Sequence, residues 1–145
     1  MIKIGKNLSD WSSYSCQPKT KCELVEIIMN RISKYGDGCD LNDIDVSLIT
    51  DMSYLFFKSK FNGNISKWNV SNATDMSCMF LCSFFDQPIG DWDVSKVKNM
   101  RSMFYESDFN QDISKWQINK DCNTKGMFED CPIKEEYKPK SLQLW

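Results

Sequence analysis

The phrase Ile-x-x-Trp-x-Val-Ser-x-x-x-x-Met-x-x-Met-Phe occurs twice in the middle of the chain, its two copies 24 residues apart. It reads Ile65, Trp68, Val70, Ser71, Met76, Met79, Phe80, and again Ile89, Trp92, Val94, Ser95, Met100, Met103, Phe104. A fixed period of roughly 20 to 30 residues marks a solenoid, in which each repeat is one structural turn stacked on the last. Four copies align without a gap, at 41–64, 65–88, 89–112 and 113–136. None could bury its apolar face alone, so the copies must stack.

The columns of the alignment define the expected core. They are Leu41, Ile65, Ile89, Ile113; Ile44, Trp68, Trp92, Trp116; and Val46, Val70, Val94, Ile118. Then come Met52, Met76, Met100, Thr124; Leu55, Met79, Met103, Met127; Phe56, Phe80, Phe104, Phe128; and Phe61, Phe85, Phe109, Ile133. The Trp-x-Val spacing of two predicts a short strand with both side chains on one face. The Met-x-x-Met-Phe spacing of three and four predicts a short helical turn. Asp51, Asp75, Asn99 and Asn123 stand before each triplet, where an N-cap belongs. The expectation is an α/β-type repeat solenoid of short strands and short helical turns, in one structural domain.

The flanks read as caps. Thr20 and Glu23 fit a capping box, and Leu24, Val25, Ile28 and Ile32 follow at helical spacing. Gly36 supplies a stop. A helix over about 20–35 is expected across the first repeat, within an N-terminal extension of 1–40. The fourth repeat is degraded, with Thr124 where Met stood and with Pro132 and charges at its close. The tail, 137–145, carries Leu142, Leu144 and Trp145, and reads either as part of the cap or as a docking tail that pairs molecules.

Composition narrows the function. A net charge of −2 and a pI near 5.2 argue against binding a nucleic-acid backbone, which needs a concentrated basic face. No apolar run approaches the roughly 18 residues of a membrane span, and the first residues show no signal peptide. A cytoplasmic location is expected; surface display requires trimming from an exported precursor. Seven Cys, an odd number without a Cys-x-x-Cys, read as reduced thiols, several of them in the core. The alternatives are disulfides in an oxidising compartment, or zinc, which would need Cys from distant repeats since there is no His. There is no nucleophile motif and no Gly-rich phosphate loop, so neither catalytic residues nor a cofactor or metal is expected.

The phrases Ile-Ser-Lys-Trp-Asn-Val-Ser-Asn (65–72), Phe-Asn-Gln-Asp-Ile-Ser-Lys-Trp (109–116) and Met-x-x-Met-Phe resemble the repeats of the BspA-like leucine-rich-repeat surface proteins. So do the lead-ins at 18–24 and 39–47 and the closing segment 131–140. The resemblance implies a leucine-rich-repeat-like solenoid and a role in adhesion or protein binding.

If Trp and Val point inward, the residues beside them point out. The candidate partner-binding residues are therefore two columns: Asp45, Asn69, Asp93, Gln117, and one step outside them Asp43, Lys67, Asp91, Lys115. The outer column alternates in sign, so neighbours about 4.8 Å apart should neutralise one another. The alternative is a solvated face held by weak surface pairs. A second candidate is the expected helical side, with Lys58, Lys60, Lys96, Lys98, Arg101, Lys120 and Lys125. The Trp column as an exposed stacking ladder, or the Met column as a soft-metal site, competes with plain core packing. The expected function is a non-catalytic protein–protein interaction module. The alternative is a small inhibitor, encoded by a phage or mobile element, that docks on a host enzyme or defence complex.

Overall fold

A computed structural model describes residues 14–144. The expectations for residues 1–13, and for Trp145 in the tail, lie outside the described residues.

Helix α1 (Lys21–Tyr35) is the one α-helix among the described residues. Its start follows from Thr20, whose Oγ1 accepts the Glu23 N–H at 3.2 Å. The Glu23 carboxylate reaches back to the Lys19 N–H at 2.8 Å, one residue before the position a capping box uses. Gly36 ends the helix with φ 91°, a conformation that suits a residue without Cβ. Leu24 and Ile28 are fully buried, with Val25, Ile27 and Ile32 half-buried. The helix thus presents its apolar stripe to the repeats.

The repeats stack as four coils of 24 residues around a continuous core. Trp68, Trp92 and Trp116 are 3, 4 and 1 % exposed, and Val70, Val94 and Ile118 are buried beside them. Phe56, Phe80, Phe104 and Phe128 lie in a file of near-parallel rings with centroids 5.5, 5.5 and 5.8 Å apart. Phe61, Phe85 and Phe109 form a second file beside it.

The α/β expectation is wrong. Among the described residues the coils contain no helix and no sheet; isolated parallel bridges join Asp51, Asp75, Asn99 and Asn123. The chain is therefore not an α/β repeat solenoid. The Trp-x-Val pair does face inward, but it is bracketed by tight turns. The Trp68 N–H donates to Ile65 O and the Ala73 N–H to Val70 O, which leaves too little extended backbone for a ladder.

The Met-x-x-Met-Phe segment fails to be helical for another reason. In the second coil, Met79, Leu81 and Ser83 donate to Met76, Cys78 and Phe80, giving consecutive i→i+3 turns. Cys78 and Cys82 are left-handed, φ 55° and 54°, as the third position of a type II turn demands. Their neighbours Tyr54, Lys58, Ser102, Glu106, Gly126 and Asp130 repeat this in the other coils. The left-handed residues turn alternate N–H groups along the stack. Met76, Cys78, Phe80 and Cys82 then donate to Asn99, Arg101, Met103 and Tyr105 of the next coil at 2.8–2.9 Å. A helix would have kept those donors for itself.

The tail continues the stack for half a coil. Two 3₁₀ turns, Glu135–Tyr137 and Lys140–Leu144, lie on the fourth coil. Tyr137 O accepts the Ile113 N–H, and the Ser141 hydroxyl bridges Ile118 N–H and Trp116 O. Leu142 rests against the core, in the column after Ile118. Gly63 marks a tight join to the start of the molecule, since a Cβ there would meet Cys39 O at 1.9 Å.

Candidate functional site

The inward phase of Trp and Val places the two polar columns outside, side by side. The inner column is occupied with local work. Asp45 Oδ1 accepts the Ser47 N–H at 3.0 Å, Asn69 Oδ1 the Ser71 N–H at 3.1 Å, and Asp93 Oδ1 the Ser95 N–H at 3.0 Å. The hydroxyls of Ser71 and Ser95 donate to the same oxygens at 2.6 Å. These are Asx turns, written in the sequence as Asp/Asn-Val-Ser. Hydrogen bonds from Ser95 hold the Asp93 carboxyl below its ordinary range. Gln117 has one more methylene, and its amide instead donates to Lys115 O at 3.3 Å.

In the outer column, Lys67, Asp91 and Lys115 are exposed. Asp43 is half-buried and belongs to a different pair. Arg31 of α1 clamps it through both guanidinium nitrogens, at 2.8 and 2.9 Å, and Ser15 donates to the same carboxylate. The Arg31 bond, with help from Ser15, holds Asp43 below the usual carboxylate range, although partial burial alone would raise it. The expected neutralisation along the column does not form: among the described residues no ion pair joins Asp43, Lys67, Asp91 and Lys115 to one another. The structure brings them together only in twos. Asp43 and Lys67 line an open groove of about 850 Å³ with Arg31, Tyr35, Asn42 and Asn64. Asp91 and Lys115 share a depression of about 290 Å³ with Gln111 and Asp112.

Four carboxyl groups are shifted in one direction. Asp43, Asp51, Asp93 and Asp112 are all held down, by bonds from Arg31, Ser53, Ser95 and Ser114. For Asp51 those bonds outweigh a desolvation that would raise it. A general acid near neutral pH needs the opposite shift. All seven cysteines are free thiols. Burial pushes Cys39, Cys82 and Cys131 up, and Cys122 to about 11, so these sulfurs stay protonated and weakly nucleophilic. Among the described residues no three His, Cys, Asp or Glu side chains could together hold a metal ion.

Two features escaped the sequence. Arg31 and Ser15 lie outside the repeat, so no column pointed to their bond with Asp43. Tyr54, Phe57 and Phe84 are 55, 40 and 54 % exposed. The signal for Phe84 was present in its column, which otherwise holds Lys60, Asp108 and Pro132. The seven basic residues of the second candidate surface are all exposed, but they lie on turns and irregular backbone, and among the described residues the coils have no helical side.

The molecule is thus a turn-built stack of coils with a helical cap and a polar face beside its tryptophans. The family model described as "Mycoplasma protein of unknown function, DUF285" matches residues 28–140, and the chain belongs to this family. No curated protein and no solved structure matches the chain.

Proposed function

We propose that the chain is a non-catalytic protein-binding module that uses the face beside the tryptophan column. The observation that carries this reading is the state of Lys67, Asp91 and Lys115. They stand exposed on a fixed core, and among the described residues their ammonium and carboxylate groups make no hydrogen bond or ion pair, although Lys67 N–H and Lys115 O are bonded to the side chains of Asn42 and Gln117. Around them Asp43, Asp45, Asn69, Asp93 and Gln117 are fixed by intrachain bonds, so the face is pre-organised. The partner is another protein that offers the opposite order of charges. The phrases that resemble BspA-like surface proteins point the same way, since that resemblance implies protein binding. No helix among the described residues is long and apolar enough to cross a membrane. The same reading places the protein in the cytoplasm, a location that fractionation of the source cell checks.

The test is affinity capture from the source cell with wild type and with Lys67→Glu/Asp91→Lys/Lys115→Glu. The triple variant should keep its melting temperature and lose its partner. Retention of every partner at full affinity sinks this face as the binding surface.

A further inference from the structure

We propose that the chain pairs with a second copy of itself through the outer face of the turn segments, about a two-fold axis running along the second coil. This goes beyond the binding face described above and does not depend on it.

The argument begins with what the left-handed turns turn outward. Phe57, Leu81 and Tyr105 occupy one column, and Lys60, Phe84 and Asp108 another. Between them lies Lys58, Cys82, Glu106. Tyr54 and Phe57 meet edge to face at 5.5 Å, and the Lys58 ammonium lies 5.2 Å from the Phe57 ring. Phe84, on the second coil, is exposed as well, whereas most other aromatics among the described residues lie in the core. Isolated exposed apolar residues are ordinary; a cluster of aromatics is a contact surface.

Charge then identifies the occupant. Along the stack the face runs positive, neutral, negative: Lys58 and Lys60 on the first coil, Cys82 and Phe84 on the second, Glu106 and Asp108 on the third, with Glu129 and Asp130 continuing the negative end on the fourth. Opposite charges at equal distances from a neutral line are self-complementary under a two-fold axis lying on that line. The operation exchanges first and third coils and keeps each column opposite itself. Lys58 meets Glu106 of the second copy, Lys60 meets Asp108, Phe57 meets Tyr105, and Phe84 meets Phe84. An axis along the stack would instead set Lys58 on Lys58 and Glu106 on Glu106, so the charges select the antiparallel pair. Three coils span only about 15 Å, which puts the interface at the small end of the known range. The pair is therefore reversible and dissociates on dilution.

The experiment is sedimentation velocity on the full chain across the micromolar range, at low and high salt. Wild type should show a reversible monomer–dimer equilibrium that weakens as salt screens the charges. Lys58→Glu/Lys60→Glu should be monomeric, with association weakened about a hundredfold or more, and so should Glu106→Lys/Asp108→Lys. An equimolar mixture of these two should form a heterodimer, because each then faces the charges it lacks. Phe84→Lys sets two ammonium groups on the axis and should also be monomeric; it serves if either double variant fails to fold by circular dichroism. A wild type that stays monomeric throughout overturns the proposal. So does a mixture that stays monomeric although both variants are folded.

Discussion

The two inward-facing segments of each coil share one period but are held by different chemistry. The turn segment is joined to the next coil by its backbone, through four N–H groups per coil that donate 23 residues ahead. The tryptophan segment is joined largely by side chains. The indole N–H groups of Trp68, Trp92 and Trp116 donate to Leu41, Ile65 and Ile89 carbonyls at 2.8, 3.2 and 3.0 Å. Asn42 Oδ1 accepts the Lys67 N–H, and Asn72 donates to Ser47 O. Backbone bonds tolerate many side chains, whereas side-chain bonds need a particular one. The turn segment can therefore vary its outer face freely, and it is there that Tyr54, Phe57 and Phe84 are found.

The most severe test of this contrast removes a side chain that is both packing and joint. Trp92 is buried, stacks on Trp116 with centroids 6.3 Å apart, and carries the bond to Ile65 O. Trp92→Ala should cost about 3 to 5 kcal/mol in urea denaturation. Trp92→Phe keeps most of the apolar volume but loses the indole bond, leaving Ile65 O with the Trp68 N–H alone, and should cost about 0.5 to 1.5 kcal/mol. If Trp92→Phe were neutral, the indole bond would not be what joins these coils.

A smaller effect should come from the start of the turn segment. Asp75 Oδ1 accepts both the Ser77 N–H at 2.9 Å and the Ser77 hydroxyl at 2.7 Å. Asp75→Ala should cost about 1 to 2 kcal/mol, in the range of a lost helix cap. Asp75→Asn keeps the acceptor and should cost a few tenths at most; the third and fourth coils already use Asn99 and Asn123 there. Equal losses in both variants would mean that charge, not the turn, is what this column supplies.

These residues also show what the sequence could reveal. Burial was legible, because the same columns had to be apolar in successive coils whatever the backbone did. The chemistry of Asp51, Asp75, Asn99 and Asn123 was legible too, as oxygens that accept a nearby N–H. What was not legible was the consequence. A three-four spacing of Met and Phe fits a helix, but consecutive i→i+3 turns, every second one with a left-handed third residue, place residues inward at similar intervals. Only left-handed φ at Cys78 or Ser102 separates them, and these residues carry no Gly or Asn to announce it. The repeat shows the left-handed requirement once, at Gly126. The candidate face was legible as two outward columns, but not the loss of Asp43 to Arg31, a residue outside the repeat.

That ion pair gives a pH-dependent comparison between the helix cap and the coils. The Asp43 carboxyl is held down in the folded protein, chiefly by the Arg31 bond. Its contribution is therefore present above the unfolded carboxylate value, about 3.9, and is lost as pH falls through the lower folded value. Arg31→Met should cost about 1 kcal/mol near neutrality, the scale of a half-exposed bidentate pair. It should also flatten the fall in stability between about pH 4 and lower values. Urea midpoints measured near pH 7 and pH 3 decide this, and a variant that loses the same stability at both would show the pair to be incidental.

The finest distinction lies within the turn segment itself, between coils that reach the same left-handed φ with and without glycine. Ser102 and Gly126 are equivalent positions, at φ 55° and 67°. A side chain there costs about 1 to 2 kcal/mol in conformational energy. Glycine removes that cost but loses about 0.4 to 1 kcal/mol through the freedom it gives the unfolded chain. Gly126→Ala should therefore destabilise by about 1 kcal/mol or less, since a Cβ would meet only Ser102 Oγ and Glu129 Oε2 at 3.4 Å. Ser102→Gly should stabilise by a similar small amount. Opposite signs in paired urea titrations would confirm that the left-handed turns are strained everywhere but at glycine. The same sign in both would mean that the N–H ladder they feed sets the conformation at no cost to the side chain.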